Sequence, residues 1–402
     1  MTMLDLEVGG AERQALMLAL HLKEHSKAKV EIWGLGANEG LLARICDDRG
    51  IPWRLLPIPW FTGRKDKVVN LARLALALRK AQPDVIMSYL TVPNVACGLV
   101  WRWTGARVCI WNQRCVGVDR VGERAERSAV KRVPWFASNS EAGAEFLVNT
   151  LGAPAERVRV VHNAIRLPPP QMDREEWRRT LGLNADTLAV CMVANLTVNK
   201  DHVTMLHAWQ HVIGKLNAEG RSAVLLLAGR DTEGALDKLK ILAFDLGFGR
   251  SVRFLGQVKD VSGLLNAINL CVLSSRSESS PNGVLEAMAA GLAVAGTDNS
   301  GIREALGPEG YEYLAPAGDA EALANRILNL ITDADLRARI ARANKARIEK
   351  EFNSDITCRE MTSLIIDALE ESHSQKQTIS SPANAALTTS ESSLGTKSIA
   401  QR

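Results

Sequence analysis

Residues 270–306 read LCVLSSRSESSPNGVLEAMAAGLAVAGTDNSGIREAL, and this stretch decides the predicted fold. Its first residues form an apolar run typical of a buried parallel strand, which ends near Ser274. After a polar loop, a helix is predicted to start around Asn282 and Gly283, and a second apolar run, LAVAGT, follows the helix. Strand, loop, helix and strand in this order are typical of a βαβ unit.

The same alternation of apolar runs and helical patterns extends along most of the chain. A stiff proline break at residues 168–170 interrupts it once. We therefore predict two consecutive α/β domains, at residues 1–167 and 168–352, followed by a helix at 353–371. Residues 372–402 are rich in Ser, Thr, Gln and Ala and have almost no bulky apolar residues, so this tail is predicted to be disordered.

The N-terminus departs from the usual start of such a domain. A turn at Gly9 and Gly10 leads into a predicted helix after only MTMLDLEV, so either the first strand is short or residues are missing at this end. The turn offers backbone N–H groups that favour an anion. The sequence WGLGANEG, with Gly34 and Gly36, is not a dinucleotide fingerprint, because it follows the second strand and lacks the third glycine.

Composition narrows the class of protein. The chain has 402 residues, of which 46% are hydrophobic and 23% charged, which is typical of a globular protein that builds its own core. No apolar run reaches about 18 residues, and the N-terminus lacks the apolar region of a signal peptide. The seven cysteines form no C-x-x-C pair and no histidines lie at zinc spacing, so we predict no metal site and a reduced, cytoplasmic location.

Positive charge is concentrated in the first half. The net charge is +4, while residues 1–150 hold 21 Lys and Arg against 15 Asp and Glu. This bias fits an anionic partner such as a phosphorylated lipid surface or a nucleic acid, and fits equally a solvated surface with a slight excess. Trp101, Arg102 and Trp103 suit either a membrane interface or the packed end of a helix.

Candidate site residues follow the ends of predicted strands in the second half. Glu278 lies in the loop after one strand and Glu286 one turn into the next helix, whose N-terminus favours phosphate. Gly283 permits close approach of a ligand. Two Glu residues eight apart are expected about once per chain by chance, so only their place in the fold makes the pair informative.

Three further loops are predicted to share this crevice. Lys200 follows the strand of VANLTVNKDH, where it would act as a point charge on a diphosphate, although a surface Lys is the simpler interpretation. The segments AGRD (228–231) and LGQVKD (255–260) also end strands, and such loops often hold a nucleobase through backbone bonds.

Taken together, these segments resemble glycosyltransferase family four, whose retaining enzymes have the GT-B fold of two Rossmann-like domains. The resemblance spans residues 8–369 and is carried by VGGAER, VVHNAI, VANLTVNKDH, VRFLGQVKDV and SESSPNGVLEAMAAG, in the family's order. The last segment is similar to the family's E-x7-E signature, with Glu278 and Glu286 as its acids. It implies two domains facing across a cleft and a C-terminal helix that crosses back to the first domain.

The resemblance also implies roles for single residues. Glu278 would face the transferred sugar and Lys200 would hold the diphosphate, so these two are the predicted catalytic residues. The predicted donor-binding residues are Gly10, Asn195, Val258, Asn282, Gly283, Val284 and Glu286, with Glu286 on the ribose. The chain departs from the family pattern at Asn195, where an Arg is common, at Ser279, where a Gly is usual, and at Ala293, where a Pro is usual.

The implied function is retaining, metal-independent and cofactor-free transfer of a sugar from a nucleoside diphosphate donor. The implied acceptor is a glycan or polyprenyl-linked glycan in polysaccharide biosynthesis, with no nucleic acid partner. We expect a cytoplasmic protein with peripheral contact to the inner face of the cell membrane. The alternatives are a sugar-nucleotide epimerase of the same fold, and an inactive, truncated member that acts as a binding or scaffold protein.

Overall fold

A computed structural model describes residues 1–7, 9–117 and 120–380 of the chain. The first half contains seven parallel strands: β1 (Thr2–Met3), β2 (Ile32–Gly34), β3 (Trp53–Leu55), β4 (Val85–Tyr89), β5 (Val108–Gln113), β6 (Trp135–Ser138) and β7 (Val158–Val160). The second half contains six: β8 (Leu188–Val193), β9 (Ala223–Ala228), β10 (Val252–Gly256), β11 (Leu270–Leu273), β12 (Val294–Thr297) and β13 (Leu314–Ala315).

The two sheets share one strand order. The first runs β3-β2-β1-β4-β5-β6-β7 and the second β10-β9-β8-β11-β12-β13. In each sheet the order reverses beside the first strand, which is the Rossmann arrangement, and ligands bind at that point beyond the carboxyl ends of the strands. The predicted fold class is therefore confirmed. β1 is only two residues long, yet it pairs with both β2 and β4 inside its sheet.

Helices connect the strands. Those of the first half are α1 (Gly10–His25), α2 (Leu41–Arg49), α3 (Arg64–Ala81), α4 (Thr91–Val100), α5 (Glu123–Val130) and α6 (Glu141–Glu145), with a π-helical segment at Phe146–Leu151. Those of the second half are α7 (Arg174–Thr180), α8 (His202–Ala218), α9 (Leu236–Asp245), α10 (Val261–Ala267), α11 (Asn282–Ala289), α12 (Ser300–Leu306), α13 (Ala320–Thr332), α14 (Ala334–Glu351) and α15 (Ser354–Ser380). Short 3-10 segments lie at Trp101–Trp103, Ala155–Arg157, Val198–Lys200, Gly249–Ser251 and Pro308–Tyr313.

Most helices of the second half start at a side chain that caps them. An Asp or Asn oxygen accepts a backbone N–H in the first turn of six helices, which satisfies one of the donors that a helix leaves unpaired. These caps are Asp173, Asp201, Asp260, Asn299, Asp319 and Asp333. α9 and α11 have no such side-chain cap, and Pro281 precedes α11.

The C-terminal helix α15 returns to the first half, as the resemblance implied. Met361 and Leu364 are buried in the core of the first half, and Arg159 donates to Asp367 at 2.6 Å. The helix extends to Ser380, so the prediction of disorder from residue 372 was wrong for residues 372–380. Contacts with the first half, such as the Ser372 hydroxyl donating to the Arg107 carbonyl at 3.2 Å, support this extension. Residues 381–402 of the predicted tail lie outside the described residues.

Candidate functional site

A cleft of about 320 Å³ lies between the two halves. Its walls in the second half are the segments that follow the carboxyl ends of β8, β9, β10 and β11, together with the start of α11. The first half contributes the start of α1. The residues that line the cleft include Gly9, Gly10, Arg13, Asn195, Lys200, Arg230, Gln257, Val258, Glu278, Asn282, Gly283 and Glu286. The structure thus brings together nearly all the residues predicted from the sequence.

The two predicted catalytic residues are in direct contact. The Lys200 ammonium donates to Glu278 Oε1 at 2.5 Å, and both side chains are mostly buried. Lys200 is the last residue of a 3-10 turn after β8. The Ser274 hydroxyl at the end of β11 holds this turn by donating to the Lys200 backbone carbonyl at 2.9 Å. A carboxylate and an ammonium are therefore fixed side by side at the point where the strand order reverses.

Glu286 is the second acid of the cleft, and it is almost fully buried at 8% exposure. Burial raises the pKa of its carboxyl, while Arg13 opposes that shift. The Arg13 guanidinium, on α1 of the other half, donates to Glu286 Oε1 at 2.9 Å. Arg13 belongs to the VGGAER segment, but sequence reasoning did not predict this ion pair.

The start of α11 faces the cleft. Asn282 and Gly283 occupy its first two positions, where backbone N–H groups have no partner within the helix and no side-chain cap. Asn163 of the first half donates to Asn282 Oδ1 at 3.0 Å. A Cβ on Gly10 would lie 2.3 Å from Asn282 Nδ2, so any larger residue there would have to displace the Asn282 amide. A Cβ on Gly283 would lie 2.3 Å from the Val193 carbonyl oxygen.

Val284 was predicted to bind the donor, and the structure does not bring it to the cleft. Its side chain is fully buried in the core of the second half, and its N–H donates to the Pro281 carbonyl at 3.0 Å. The physical reason is helical geometry. Glu286 is four residues after Asn282 and shares its face, whereas Val284 is two residues on and points to the opposite side.

Two predicted donor residues lie on the far wall. Val258 lines the cleft beside Gln257, in the loop after β10. Asn195 is exposed, and its Oδ1 accepts the backbone N–H of Arg230 at 3.1 Å. Arg230 itself lines the cleft. Its segment was predicted to reach the crevice, but its charge was not singled out from the sequence.

Further polar contacts close the two halves around the cleft. The hydroxyls of Ser140 and Ser279 are 2.7 Å apart. His162 Nε2 lies 2.7 Å from Glu304 Oε1, and Glu304 also accepts the backbone N–H of Glu141 at 3.0 Å. This hydrogen bond to Glu304 raises the pKa of His162. Sequence reasoning did not predict these contacts, because no local pattern distinguishes their residues from ordinary surface groups.

The structure offers no evident place for a metal ion in the ranges it covers. Among residues 1–7, 9–117 and 120–380, no three His, Cys, Asp or Glu side chains are grouped so that they could hold one. In the same residues, no helix combines the length and the apolar character needed to cross a membrane.

Comparison with known proteins identifies the family. The profile described as "Glycosyl transferases group 1" matches residues 173–347, and that described as "Glycosyltransferase Family 4" matches residues 8–167. The lipopolysaccharide core biosynthesis glycosyltransferase LpsE of Rhizobium meliloti is 26% identical over 292 residues, which cover 72% of this chain and 78% of LpsE. The N-acetyl-alpha-D-glucosaminyl L-malate synthase of Bacillus anthracis is 24% identical and covers 76% of this chain and 80% of its own length.

Solved structures share the fold. HepE of Anabaena, crystallised in complex with UDP, superposes with a TM-score of 0.77 at 19% identity, over 91% of this chain and 98% of HepE. The two profiles meet at the proline break and together span both Rossmann-like halves, in the order of the two sheets. The chain belongs to the group 1 glycosyltransferases with a family 4 N-terminal half, and is an enzyme of glycosyl transfer.

Proposed function

We propose that this enzyme moves a sugar from a nucleoside diphosphate to a glycan or lipid-linked acceptor during assembly of a cell-surface polysaccharide. One observation carries the proposal. Glu278 with Lys200, Glu286, and the uncapped start of α11 all face the same cleft between the two halves. Each group matches one part of a sugar nucleotide: Glu278 the sugar, Lys200 and the start of α11 the diphosphate, and Glu286 the ribose.

The relatives support the choice of substrate class. LpsE is named for lipopolysaccharide core biosynthesis, the Bacillus anthracis relative is named as an N-acetyl-alpha-D-glucosaminyl L-malate synthase, and HepE is bound to UDP. A uridine nucleotide is therefore the first donor to test. The acceptors named for the two relatives differ, so the acceptor class rests on LpsE.

Cleavage of the bond between the sugar and the diphosphate leaves positive charge at the anomeric carbon and negative charge on the diphosphate. Lys200 and the free N–H groups of α11 would stabilise the leaving group as its charge grows, by the same logic as an oxyanion hole. The bond electrons stay with the diphosphate, and the acceptor hydroxyl adds to the anomeric carbon and loses its proton. The closed cleft would exclude water, which limits hydrolysis.

Retention of the anomeric configuration is part of the proposal. In the family it is described as attack on the same face that the leaving group departs, with the leaving phosphate accepting the proton. NMR of the freshly formed product measures the configuration directly. A product with the inverted anomeric centre would exclude this mechanism.

Independence from metal ions is also proposed, because Lys200 and backbone donors already supply positive charge toward the diphosphate. Turnover measured with EDTA and again with added Mg²⁺ or Mn²⁺ tests it. We expect the same rate in all three conditions. A rate that collapses in EDTA and recovers with Mg²⁺ would contradict the proposal.

The donor is best identified by binding. A thermal-shift panel of UDP-, GDP- and ADP-glucose should show one nucleotide that raises the unfolding temperature, because a ligand that binds only the folded state stabilises it. Acceptor should then increase the rate of nucleoside diphosphate release. Epimerised donor formed without any dependence on acceptor would instead support the epimerase alternative. Absence of stabilisation by every nucleotide would refute the proposed function.

We also infer peripheral contact with an anionic membrane through the first half. The outer face of α3 exposes Val68, Val69 and Leu76, and Phe61 and Trp103 beside it are 82% and 65% exposed. α3 carries six Lys and Arg residues and one Asp. Exposed apolar side chains on a basic helix are the combination that suits the surface of a bilayer with anionic lipids.

Vesicle flotation tests this contact. Wild-type protein should float with vesicles that contain phosphatidylglycerol and far less with phosphatidylcholine alone, and the Phe61→Ser/Leu76→Ser variant should lose the difference. Phe244→Ser, which removes an equally exposed apolar side chain from α9 of the second half, is the matched control. Equal flotation of wild type and the double variant would remove the case for this surface.

A further inference from the structure

The cleft is lined by three cations and two carboxylates. Arg13 donates to Glu286 at 2.9 Å, and Lys200 donates to Glu278 at 2.5 Å, so two of the cations are already paired. The Arg230 guanidinium has no hydrogen bond or ion pair with any residue that the structure describes. The net positive charge of the cleft is therefore located at Arg230.

The acids beside Arg230 in the sequence form no ion pair with it. Both oxygens of Asp231 accept backbone N–H groups, from Ala235 at 2.9 Å and Leu236 at 3.2 Å. Glu233 accepts the N–H of Val198 at 2.8 Å. These carboxylates are used to hold loops in place, which leaves the guanidinium available to a ligand.

The backbone of Arg230 is fixed to the end of the neighbouring strand β8. Asn195 Oδ1 accepts its N–H at 3.1 Å, and its carbonyl accepts the N–H of Leu196 at 2.8 Å. A Cβ on Gly229 would lie 1.9 Å from the Ala194 carbonyl oxygen, so the two strand ends are in the closest contact that the backbone allows. These contacts set the backbone position of Arg230 before any ligand arrives.

We propose that Arg230 binds the diphosphate of the nucleotide and that Asn195 is its positioning residue. The inference rests on the proposed function, since it assumes a nucleoside diphosphate in this cleft. A diphosphate carries at least two negative charges, and arginine matches phosphate oxygens with two parallel N–H bonds. Lys200 is paired with Glu278, and the N–H groups of α11 are dipoles without a full charge, so part of the charge of the diphosphate remains for Arg230. Asn195 therefore supports the donor through the backbone of Arg230.

Binding of a nucleotide series to the full chain tests the role of Arg230. The probes are the diphosphate preferred among UDP, GDP and ADP, and the corresponding nucleoside, measured by isothermal titration calorimetry. Arg230→Ala should raise the Kd of the nucleoside diphosphate by about 10- to 100-fold, the value of a lost charged hydrogen-bond pair. The Kd of the nucleoside should change by less than about threefold. Arg230→Lys, which keeps the charge but loses the paired geometry, should fall between.

One control variant and three possible outcomes test the role of Arg230. Lys240→Ala removes the same charge from the exposed face of α9 and should bind the diphosphate like wild type. Equal loss of nucleoside and diphosphate in Arg230→Ala would place the side chain on the base or ribose and overturn the inference. Unchanged diphosphate affinity in Arg230→Ala would overturn it as well. Failure of the wild type to bind any of the three diphosphates would instead refute the proposed function.

The role of Asn195 is tested by a double-mutant cycle. Asn195→Ala should weaken binding of the diphosphate by a few fold. In the Arg230→Ala background it should have almost no further effect, because Asn195 and Arg230 act through one contact. A merely structural role for Asn195 would lower the unfolding temperature and weaken nucleoside and diphosphate alike. Fully additive losses in the double variant would show that Asn195 acts independently of Arg230.

Discussion

Replacement of Glu286 by alanine should weaken nucleotide binding strongly, while replacement of its partner Arg13 should not. Both changes break the same ion pair between the two halves. Only Glu286→Ala also removes the carboxylate that is proposed to accept the ribose hydroxyls. The pair of variants therefore separates a direct ligand contact from an effect on closure of the cleft.

The structure supplies the magnitudes. Glu286 is 8% exposed, so its hydrogen bonds to the ribose would be made in a largely dry site. Loss of hydrogen bonds to a charged group costs about 2–3 kcal/mol, which is about 30- to 150-fold in Kd. The Arg13 side chain is 55% exposed, and an ion pair of that kind contributes at most about 1 kcal/mol. Arg13→Ala should therefore change Kd by less than about fivefold, toward tighter binding, because it releases Glu286.

Isothermal titration of both variants with the preferred nucleoside diphosphate makes the comparison, and thermal unfolding verifies that each is folded. Glu286→Gln keeps the shape and one carbonyl acceptor, so its loss should be smaller than that of the alanine variant. Glu286→Ala with wild-type affinity would refute the ribose assignment. Equal weakening by Arg13→Ala and Glu286→Ala would show that Glu286 acts only by closing the cleft.

Three further predictions concern stability and turnover. Gly283→Ala should destabilise the fold by about 1–3 kcal/mol in thermal or urea unfolding, because the new Cβ overlaps a backbone carbonyl, whereas Gly214→Ala, in open space on α8, should stabilise by about 0.5–1 kcal/mol; equal effects would refute this packing. The pKa of His162 is raised by Glu304, so the stability from this contact is full below about pH 6.5 and is lost as the pH rises through the folded-state pKa of His162. The gap in unfolding temperature between wild type and Glu304→Gln should therefore shrink from pH 6 to pH 9, and a constant gap would exclude the linkage. Lys200→Ala should lower kcat about 100-fold or more, as expected for a lost donor to the leaving group, and an effect on KM alone would contradict that role.

The cleft wall formed by the second half was largely predictable from the sequence, because it consists of loops that follow successive strands. Lys200 follows the apolar strand β8, and Glu278 and Glu286 follow the apolar strand β11. Parallel strands in the Rossmann order bring their carboxyl ends together. Burial of the strands on both faces produces the uninterrupted apolar runs that make them visible. The helix α11 begins at Asn282, between Glu278 and Glu286. Its start therefore determines where the two carboxylates lie relative to each other.

Several elements escaped prediction for physical reasons. α4 (Thr91–Val100) is buried on nearly all sides, so it has no amphipathic period, and Pro93 in its first turn hides the helix further. β3 is a half-exposed edge strand of three residues, and α12 has only seven. Segments this short have too few residues for a period to emerge above chance.

The contacts across the cleft were not predictable either, because they join residues far apart in the sequence. Arg13 and Glu286 are 273 positions apart, and Asn163 and Asn282 are 119 apart. Each is an ordinary polar residue until the two halves meet. The role inferred for Arg230 was not predictable for a similar reason. It depends on the ion pairs that Arg13 and Lys200 form with Glu286 and Glu278.

Two of the contacts that close the cleft involve groups proposed to hold the donor. Glu286 accepts from Arg13 and Asn282 accepts from Asn163, so each takes part in a contact between the halves. A nucleotide that uses Glu286 and the start of α11 as ligands has to share or displace those contacts. Donor affinity and closure are therefore coupled, and the coupling acts equally in both directions. Arg13→Ala measures its size, because the variant removes a closing contact and leaves every proposed donor ligand in place.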